Sequence, residues 1–262
     1  MEFLRYAEQA AQLVLLVCLL LRGLGPRYPM FAIYIAARIL RGISLLPLDY
    51  HGILYAKAWA LSEPILLTLQ VLVVLELTGL ILECYPEVGH LAKVIIGFSL
   101  GLGALIGGSV VLVEIGDARR QPLWLSVVIG AWKWNNVACA SALLVQSAWC
   151  SLFPVPMRRN VAIHRWLLTF FIGIVPGSAA FFVRLKNTWS ADYAVMLQVL
   201  TEVICCLGWA LTFQKSGEQI RYRPDWISAQ ARLQQVQREY SLIMENMRRK
   251  LNIARLFGEH DS

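Results

Sequence analysis

The sequence predicts an all-α integral membrane protein, a bundle of about seven transmembrane helices followed by a C-terminal amphipathic, coiled-coil helix. The composition is the first indication, because 58% of the residues are hydrophobic and only 16% are charged, whereas soluble domains are about 45–50% apolar and about 25% charged. The second is a series of apolar runs of the length that crosses a bilayer as a helix, about 20 residues. The third is a polar C-terminal stretch with a heptad pattern.

Seven apolar runs have the length of a transmembrane helix. Their approximate bounds are 7–25, 28–47, 52–83, 91–115, 122–150, 162–184 and 190–213. The gaps between them carry glycine, proline and charged residues, which are typical of turns. We therefore expect a seven-helix transmembrane domain over 1–216 and a cytoplasmic helical tail over 217–262.

The basic residues predict the orientation of the bundle. With the C terminus inside, the inner connections up to Arg223 carry nine lysines and arginines and the outer side carries six. Because inner loops are enriched in these residues, the distribution favours an outer N terminus and an inner C terminus. Contact with anionic lipid headgroups then explains the net charge of +7 without a role in nucleic-acid binding.

The C-terminal stretch carries a heptad seam. Pro224 and Asp225 precede a predicted helix in which apolar residues recur every three or four positions, at Trp226, Ala229, Leu233, Val236, Tyr240, Ile243 and Met247. The seam is broken once at Lys250 and resumes with Ala254 and Phe257, and this spacing predicts a coiled-coil face over 226–257. The face could pair with a second copy, meet a cytosolic partner, or lie on the bundle or the bilayer surface.

Ionisable residues inside the predicted spans indicate either a pathway or buried ion pairs. The candidates are Arg38, Glu63, Glu76, Lys133 and Glu202. Glu63 and Gln70 are seven residues apart and share a helix face, so they could line a cavity beside the kink expected at Pro64. In the structural alternative, Glu76 or Glu202 pairs with Arg38 or Lys133 and fixes the register of the helices.

The stretch FPVPMRRNVAIHRW, at 153–166, separates the fifth and sixth runs. Asn160 is expected to cap the sixth helix, with His164 one turn later. The free N–H groups of that helix start, together with Arg158 and Arg159, could hold a phosphate. The simpler interpretation is a loop at the inner membrane face whose arginines contact lipid headgroups.

The fourth run holds two GxxxG pairs, Gly97–Gly101 and Gly103–Gly107. Such pairs predict close packing against another helix. The sequence has no HExxH motif and no phosphate-binding loop with its lysine, and its cysteines form no CxxC pair. We therefore expect no catalytic residues, no metal and no cofactor.

Five short motifs occur in order along the chain: RYPMF at 27–31, LSEP at 61–64, VVLE at 73–76, YP at 85–86 and PVPMRRNVAIH at 154–164. Together they resemble a family of bacterial multi-pass membrane proteins of about this length. The resemblance covers about residues 25–185 and leaves the tail outside. The resemblance implies a helical bundle in the inner membrane, and it implies no particular activity.

Two functional hypotheses follow from these features. In the first, a non-enzymatic sensor or scaffold couples the bundle to the helix of 226–257. In the second, a channel or secondary transporter uses Glu63, Glu76 and Glu202 along its path. An intramembrane enzyme is disfavoured, because the sequence offers no nucleophile–base pair and no paired ligand set.

Overall fold

The computed structural model describes residues 2–49, 52–83, 122–152, 157–184 and 188–218, and helical positions at 97, 101, 235, 238–242 and 245. These residues are helical and turn structure without a strand, which confirms the all-α prediction for this part of the chain. The described helices are α1 (Glu2–Leu21), α2 (Pro29–Leu45), α3 (Ile53–Leu82), α4 (Leu123–Leu152), α5 (Arg159–Arg184) and α6 (Thr188–Thr212), and a 3-10 helix spans Lys215–Glu218.

Six of the predicted runs coincide with these helices to within five residues at each end. The run at 91–115 lies outside the described residues apart from Gly97 and Gly101. Among the described helices, two are long and apolar enough to cross a membrane, over Phe3–Leu21 and Ile53–Leu82. For the other four described helices, the helical structure is confirmed, and the expectation that they cross a membrane stays a prediction.

The first helix begins and ends earlier than its apolar run. Its polar first turns are held against α2, where Arg5 Nη2 donates to the Leu45 carbonyl at 3.2 Å. It ends because Gly23 adopts a left-handed φ of 66°, with the Gly23 N–H bonded to Leu20 O and the Leu24 N–H to Leu19 O. This is a Schellman cap, which satisfies the last carbonyls of a helix.

The helices form a closed ring in which each packs against its sequence neighbours among the described helices and α6 packs against α1. Helix α3 also contacts α5 across the ring. Helices that follow each other in the chain are antiparallel except α3 and α4, which run parallel: Asn135 Nδ2 lies 3.5 Å from Leu67 O, and eleven residues further along both helices Gln146 Nε2 lies 3.3 Å from Thr78 Oγ1. The chain between them therefore starts and finishes at opposite ends of the bundle. Helices α1 and α6 also run parallel, with Gln12 against Glu202 and Arg22 against Ala210.

Apolar side chains fill the interior and also cover the outside of the ring. Leu15, Phe31, Leu77, Leu143 and Ile172 are buried in one core, while Leu61, Leu211 and Leu40 are 82%, 74% and 68% exposed. Buried polar residues accompany the core, among them Gln12, Glu63, Gln70, Asn136, His164 and Glu202. An apolar exterior around a partly polar interior is the distribution expected of a bundle surrounded by lipid.

Candidate functional site

A cavity of about 490 Å³ lies between α2, α3, α4, α5 and α6. Its polar lining consists of Arg38, Arg41, Glu63, Gln70, Asn136, Gln198 and Glu202, and its aromatic lining of Tyr34, Tyr55, Trp59, Trp132 and Phe171. Tyr55 and Leu125 belong to the first turns of α3 and α4, so the cavity extends toward the end of the bundle where those helices begin. We call this end the cavity end.

Arg38 joins three helices at the wall of the cavity. Its Nη2 lies 2.6 Å from Glu202 Oε2 on α6 and 3.1 Å from Glu8 Oε1 on α1. The Gln12 amide donates to both carboxylates, at 3.2 Å to Glu8 and more closely to Glu202. The expected pairing of Glu202 with Arg38 is therefore present, and it holds α1, α2 and α6 together.

The wall formed by α3 carries Glu63 and Gln70, as their seven-residue spacing predicted. Glu63 Oε2 pairs with Arg41 of α2, and the Gln70 amide donates to Asn136 Oδ1 of α4 at 3.0 Å. Pro64 lies inside an unbroken α3. The predicted cavity and the predicted ion pairs thus occur together rather than as alternatives.

Glu76 lies elsewhere and has a different role from the two predicted for it. Its carboxylate accepts hydrogen bonds from the Met30 N–H at 2.8 Å and the Phe31 N–H at 3.1 Å, in the first turn of α2. The N–H groups of a first turn have no partner within their own helix, and a carboxylate there is also favoured by the helix dipole. Glu76 is therefore a helix cap, and Lys133, half-buried on α4, is not among the described cavity residues.

Four charges meet at the opposite end of the bundle, and we call them the rim network: Arg27, Glu83, Arg158 and Glu218. Arg27 pairs with Glu83 and lies 3.7 Å from Glu218, while Arg158 lies 3.5 Å from each carboxylate. The hydrogen bond from Arg27 holds the pKa of Glu83 below its ordinary value. The network connects the α1–α2 turn, the end of α3, the start of α5 and the 3-10 helix.

Asn160 does not cap α5, contrary to the prediction. It lies within the first turn, and its side-chain amide donates to Gln214 O at 2.8 Å and to Glu218 Oε1 at 2.6 Å. The Tyr28 hydroxyl donates to the same Glu218 oxygen at 2.8 Å. Gln214 lies just beyond α6, and its carbonyl also accepts from the Gly217 N–H at 2.9 Å, so Asn160 joins the first turn of α5 to the 3-10 turn. At the end of α6, Arg22 Nη1 donates to the carbonyls of Ala210 and Phe213, where a helix leaves such groups without helical partners.

His164 is fully buried in a group of aromatic rings. Its ring centroid lies 4.5 to 5.8 Å from those of Phe31, Tyr28, Trp209 and Phe213, and neither ring nitrogen has a partner among the described residues. The side chains of the predicted phosphate site therefore do not converge on one open site. Arg158 and Asn160 bind Glu218, His164 is enclosed, and Arg159 is exposed.

The GxxxG stretch is only partly described. Gly97 and Gly101 are helical and exposed, and a Cβ added to either would meet no described atom within 4 Å. Gly103 and Gly107 lie outside the described residues, so the close packing stays a prediction. The letters GFSLG at 97–101 also spell GxSxG, but a nucleophile elbow needs a strand-to-helix turn, and both outer glycines are helical.

Sequence reasoning missed Glu8, Gln12, Tyr28 and Glu218. Glu8 and Gln12 sit in the first apolar run four residues apart, which places both on one helix face. Because an ionisable residue in an apolar run needs a partner, Glu8 in the first run and Arg38 in the second could have been predicted to pair. Nothing local distinguishes Tyr28 or Glu218, because Glu218 lies 190 residues from Tyr28 and 58 from Asn160 in the chain.

Within the described residues, no group of three or more His, Cys, Asp or Glu side chains could hold a metal ion. Comparison with known protein families, curated proteins and solved structures finds no match to this chain. The functional argument therefore depends on the cavity, the rim network and the tail.

Proposed function

We propose that this chain is a seven-span membrane protein whose bundle acts as a non-enzymatic sensor coupled to the C-terminal helix. The apolar exterior, the buried polar residues and the two span-length helices support insertion in a membrane. The parallel course of α3 and α4 supports a further span over 91–115, because successive spans must alternate in direction.

The proposed orientation has the cavity end outside and the C terminus inside. Arg22, Arg27, Arg158, Arg159 and Lys215 belong to connections at the rim end, and such enrichment is typical of the inner side. The bacterial inner membrane is proposed from the motif resemblance alone. Arg159, exposed at this end, would contact the anionic headgroups.

The observation that carries the sensor proposal is that α6 connects the cavity to the tail. Glu202 lines the cavity, and α6 ends ten residues later at Thr212, about 15 Å along the axis. Glu218, in the 3-10 helix that follows, is bound by Tyr28, Arg158 and Asn160. A change at the Arg38–Glu202 pair would move α6 and therefore alter the contacts of Glu218 at the start of the tail.

The output of the sensor would be pairing of the tail with that of a second copy. Tyr240, a seam residue, is 47% exposed, so its apolar ring is accessible for pairing in a coiled coil. The test compares the oligomeric state of the full chain in lipid nanodiscs with that of a chain ending at Tyr222. We expect the truncated chain to be monomeric, and an unchanged oligomeric state would contradict the proposal.

Two matched variants refine this test. Leu233→Lys places a charge in the seam, whereas Gln234→Lys places the same charge beside it. We expect the first to dissociate the oligomer and the second to leave it intact. Equal effects of the two variants would mean that the seam is not the contact surface.

Transport is the second candidate, and the cavity carboxylates favour it. Glu63 and Glu202 face the same space, and intramembrane carboxylates commonly lie on ion or proton paths. Proteoliposome flux that is abolished by Glu63→Gln and by Glu202→Gln but retained by Glu76→Gln would support transport. Flux that is insensitive to the first two variants would remove these residues from the path.

A further inference from the structure

The cavity has the size and composition of a small-molecule site. Its volume of about 490 Å³ lies within the range of about 300–1,000 Å³ for such sites. It extends from Glu202, in the middle of α6, to Tyr55 in the first turn of α3. In the proposed orientation, a solute would approach it from the outer side.

The charged residues that line the cavity form two ion pairs. Arg38 binds Glu202 and Arg41 binds Glu63, and all four residues line the cavity. Glu8, which also binds Arg38, belongs to α1 behind this wall. A ligand would therefore be recognised by an acceptor atom that these pairs leave open.

Glu63 has an acceptor oxygen that its ion pair leaves open. Its Oε2 is taken by Arg41, whereas its Oε1 takes no hydrogen bond from the residues that the structure describes. Both oxygens of Glu202, in contrast, are bonded, one to Gln12 and the other to Arg38. A donor entering the cavity would therefore meet Glu63 Oε1 as a carboxylate oxygen without a partner among the described residues.

The other walls distinguish an organic cation from a metal ion. Trp59 and Trp132 line the cavity together with Leu125 and Ile129, whereas the Tyr55 ring already has the Arg5 guanidinium over it, 5.4 Å from its centroid. Aromatic faces attract ammonium groups and pack against apolar bodies, whereas a hard metal ion needs about six oxygen ligands. The lining therefore matches an ammonium group on an apolar or aromatic body.

We propose that the cavity binds a small organic ammonium ion, with its ammonium group donating to Glu63 Oε1 and its apolar body packed against Trp59 and Trp132. This inference goes beyond the sensor proposal: it supplies the ligand of a sensor or the solute of a transporter. An amine and a zwitterionic amino acid share this ammonium chemistry, and the probes below separate them.

The test is binding to the full chain in nanodiscs, measured by calorimetry with three probes that share one body. Phenethylamine carries a positive head group, 2-phenylethanol a neutral one and 3-phenylpropionate a negative one. Because a hydrogen bond to a charged group contributes about 1.5–3 kcal/mol, we expect phenethylamine to bind at least about tenfold more tightly than the alcohol. Equal binding of the three, or preference for the acid, would overturn the proposal.

Phenylalanine serves as a fourth probe for the source of the ammonium group. Binding tighter than that of phenethylamine would identify an amino acid, with Arg41 as the partner of its carboxylate. Weaker binding would identify a simple amine. Either result supports the ammonium site, and absence of binding by both would contradict it.

Variants locate the site. Glu63→Gln should reduce phenethylamine affinity at least about tenfold and leave 2-phenylethanol binding nearly unchanged, while Glu76→Gln, outside the cavity, should change neither. Should Glu63→Gln not fold, Trp59→Leu tests the same site without altering charge, and retained amine affinity in it would exclude the proposed position. This binding assay does not need the tail. If the chain that ends at Tyr222 still binds phenethylamine and keeps its oligomeric state, the sensor proposal is contradicted and the ammonium site is not.

Discussion

Gly217 shows how one residue can fix the end of the bundle. A Cβ at this position would lie 2.1 Å from Asn160 Oδ1 and 2.7 Å from Asn160 Cγ. The Asn160 amide is held by Gln214 and Glu218, so it cannot move away without losing those hydrogen bonds. Glycine is therefore required here for close approach, not for an unusual φ.

We predict that Gly217→Ala lowers the free energy of unfolding by about 1–3 kcal/mol, the usual cost of forcing an extra carbon into a packed site. Thermal unfolding in detergent measures the change. Gly79→Ala is the matched control, because an added Cβ there meets nothing within 4 Å. An equal loss of stability in both variants would show that the Asn160 contact is not the cause.

Glu76 gives a second prediction for a single residue. Because Glu76→Ala leaves the Met30 and Phe31 N–H groups without their acceptor, it should cost about 0.5–2 kcal/mol of stability, as loss of a helix cap does. Glu76→Gln keeps one acceptor oxygen and should cost less. Thermal unfolding checks both values, and a stability unchanged by Glu76→Ala would contradict the capping role.

These residues also show the limits of sequence reasoning about a site. The shared face of Glu63 and Gln70 was predictable, because helical spacing is a local property. The roles of Glu76 and Asn160 were not, since both depend on a partner from another helix. A carboxylate in an apolar run fits a pathway, an ion pair or a cap equally well until its neighbours are known.

At the scale of helices, the rim network joins four elements and predicts a dependence on pH. The Arg27 hydrogen bond lowers the pKa of Glu83 in the folded state, so the ionised form is stabilised by folding. This contribution is present above the ordinary glutamate pKa of about 4.3 and is lost as the pH falls through the lower folded value.

We therefore predict that Glu83→Gln unfolds at a lower temperature than the wild type at pH 7, and that the difference disappears as the solution is acidified below about pH 4. Melting curves across this range measure it. Glu239→Gln, on the exposed tail helix, is the control and should melt at the temperature of the wild type. A constant difference between Glu83→Gln and wild type at all pH values would contradict the assignment.

Helix positions were predictable because an apolar run of span length is a local signal. The neighbours of each helix were not, because contacts such as that between Gln12 and Glu202 join residues 190 positions apart. The parallel pairing of α3 with α4 likewise has no sequence signature. The start of α1 was misplaced because its polar first turns are stabilised by α2 rather than by lipid.

At the scale of the whole molecule, the orientation and the number of spans can be tested together. Reporter fusions after Glu83 and after Pro122 should lie on opposite sides, with alkaline phosphatase active only after Pro122 and green fluorescent protein fluorescent only after Glu83. A fluorescent fusion after Ser262 would complete the proposed orientation. Fusions after Glu83 and Pro122 on the same side would contradict the seven-span proposal.

The contact between α1 and α6 has a consequence for biosynthesis. Gln12 leaves the ribosome early, whereas its partner Glu202 is made 190 residues later. Glu8 can pair with Arg38 of α2 much sooner, so α1 and α2 can associate before α6 exists. A chain interrupted before α6 would leave Gln12 and Arg38 without the Glu202 carboxylate that both of them bind.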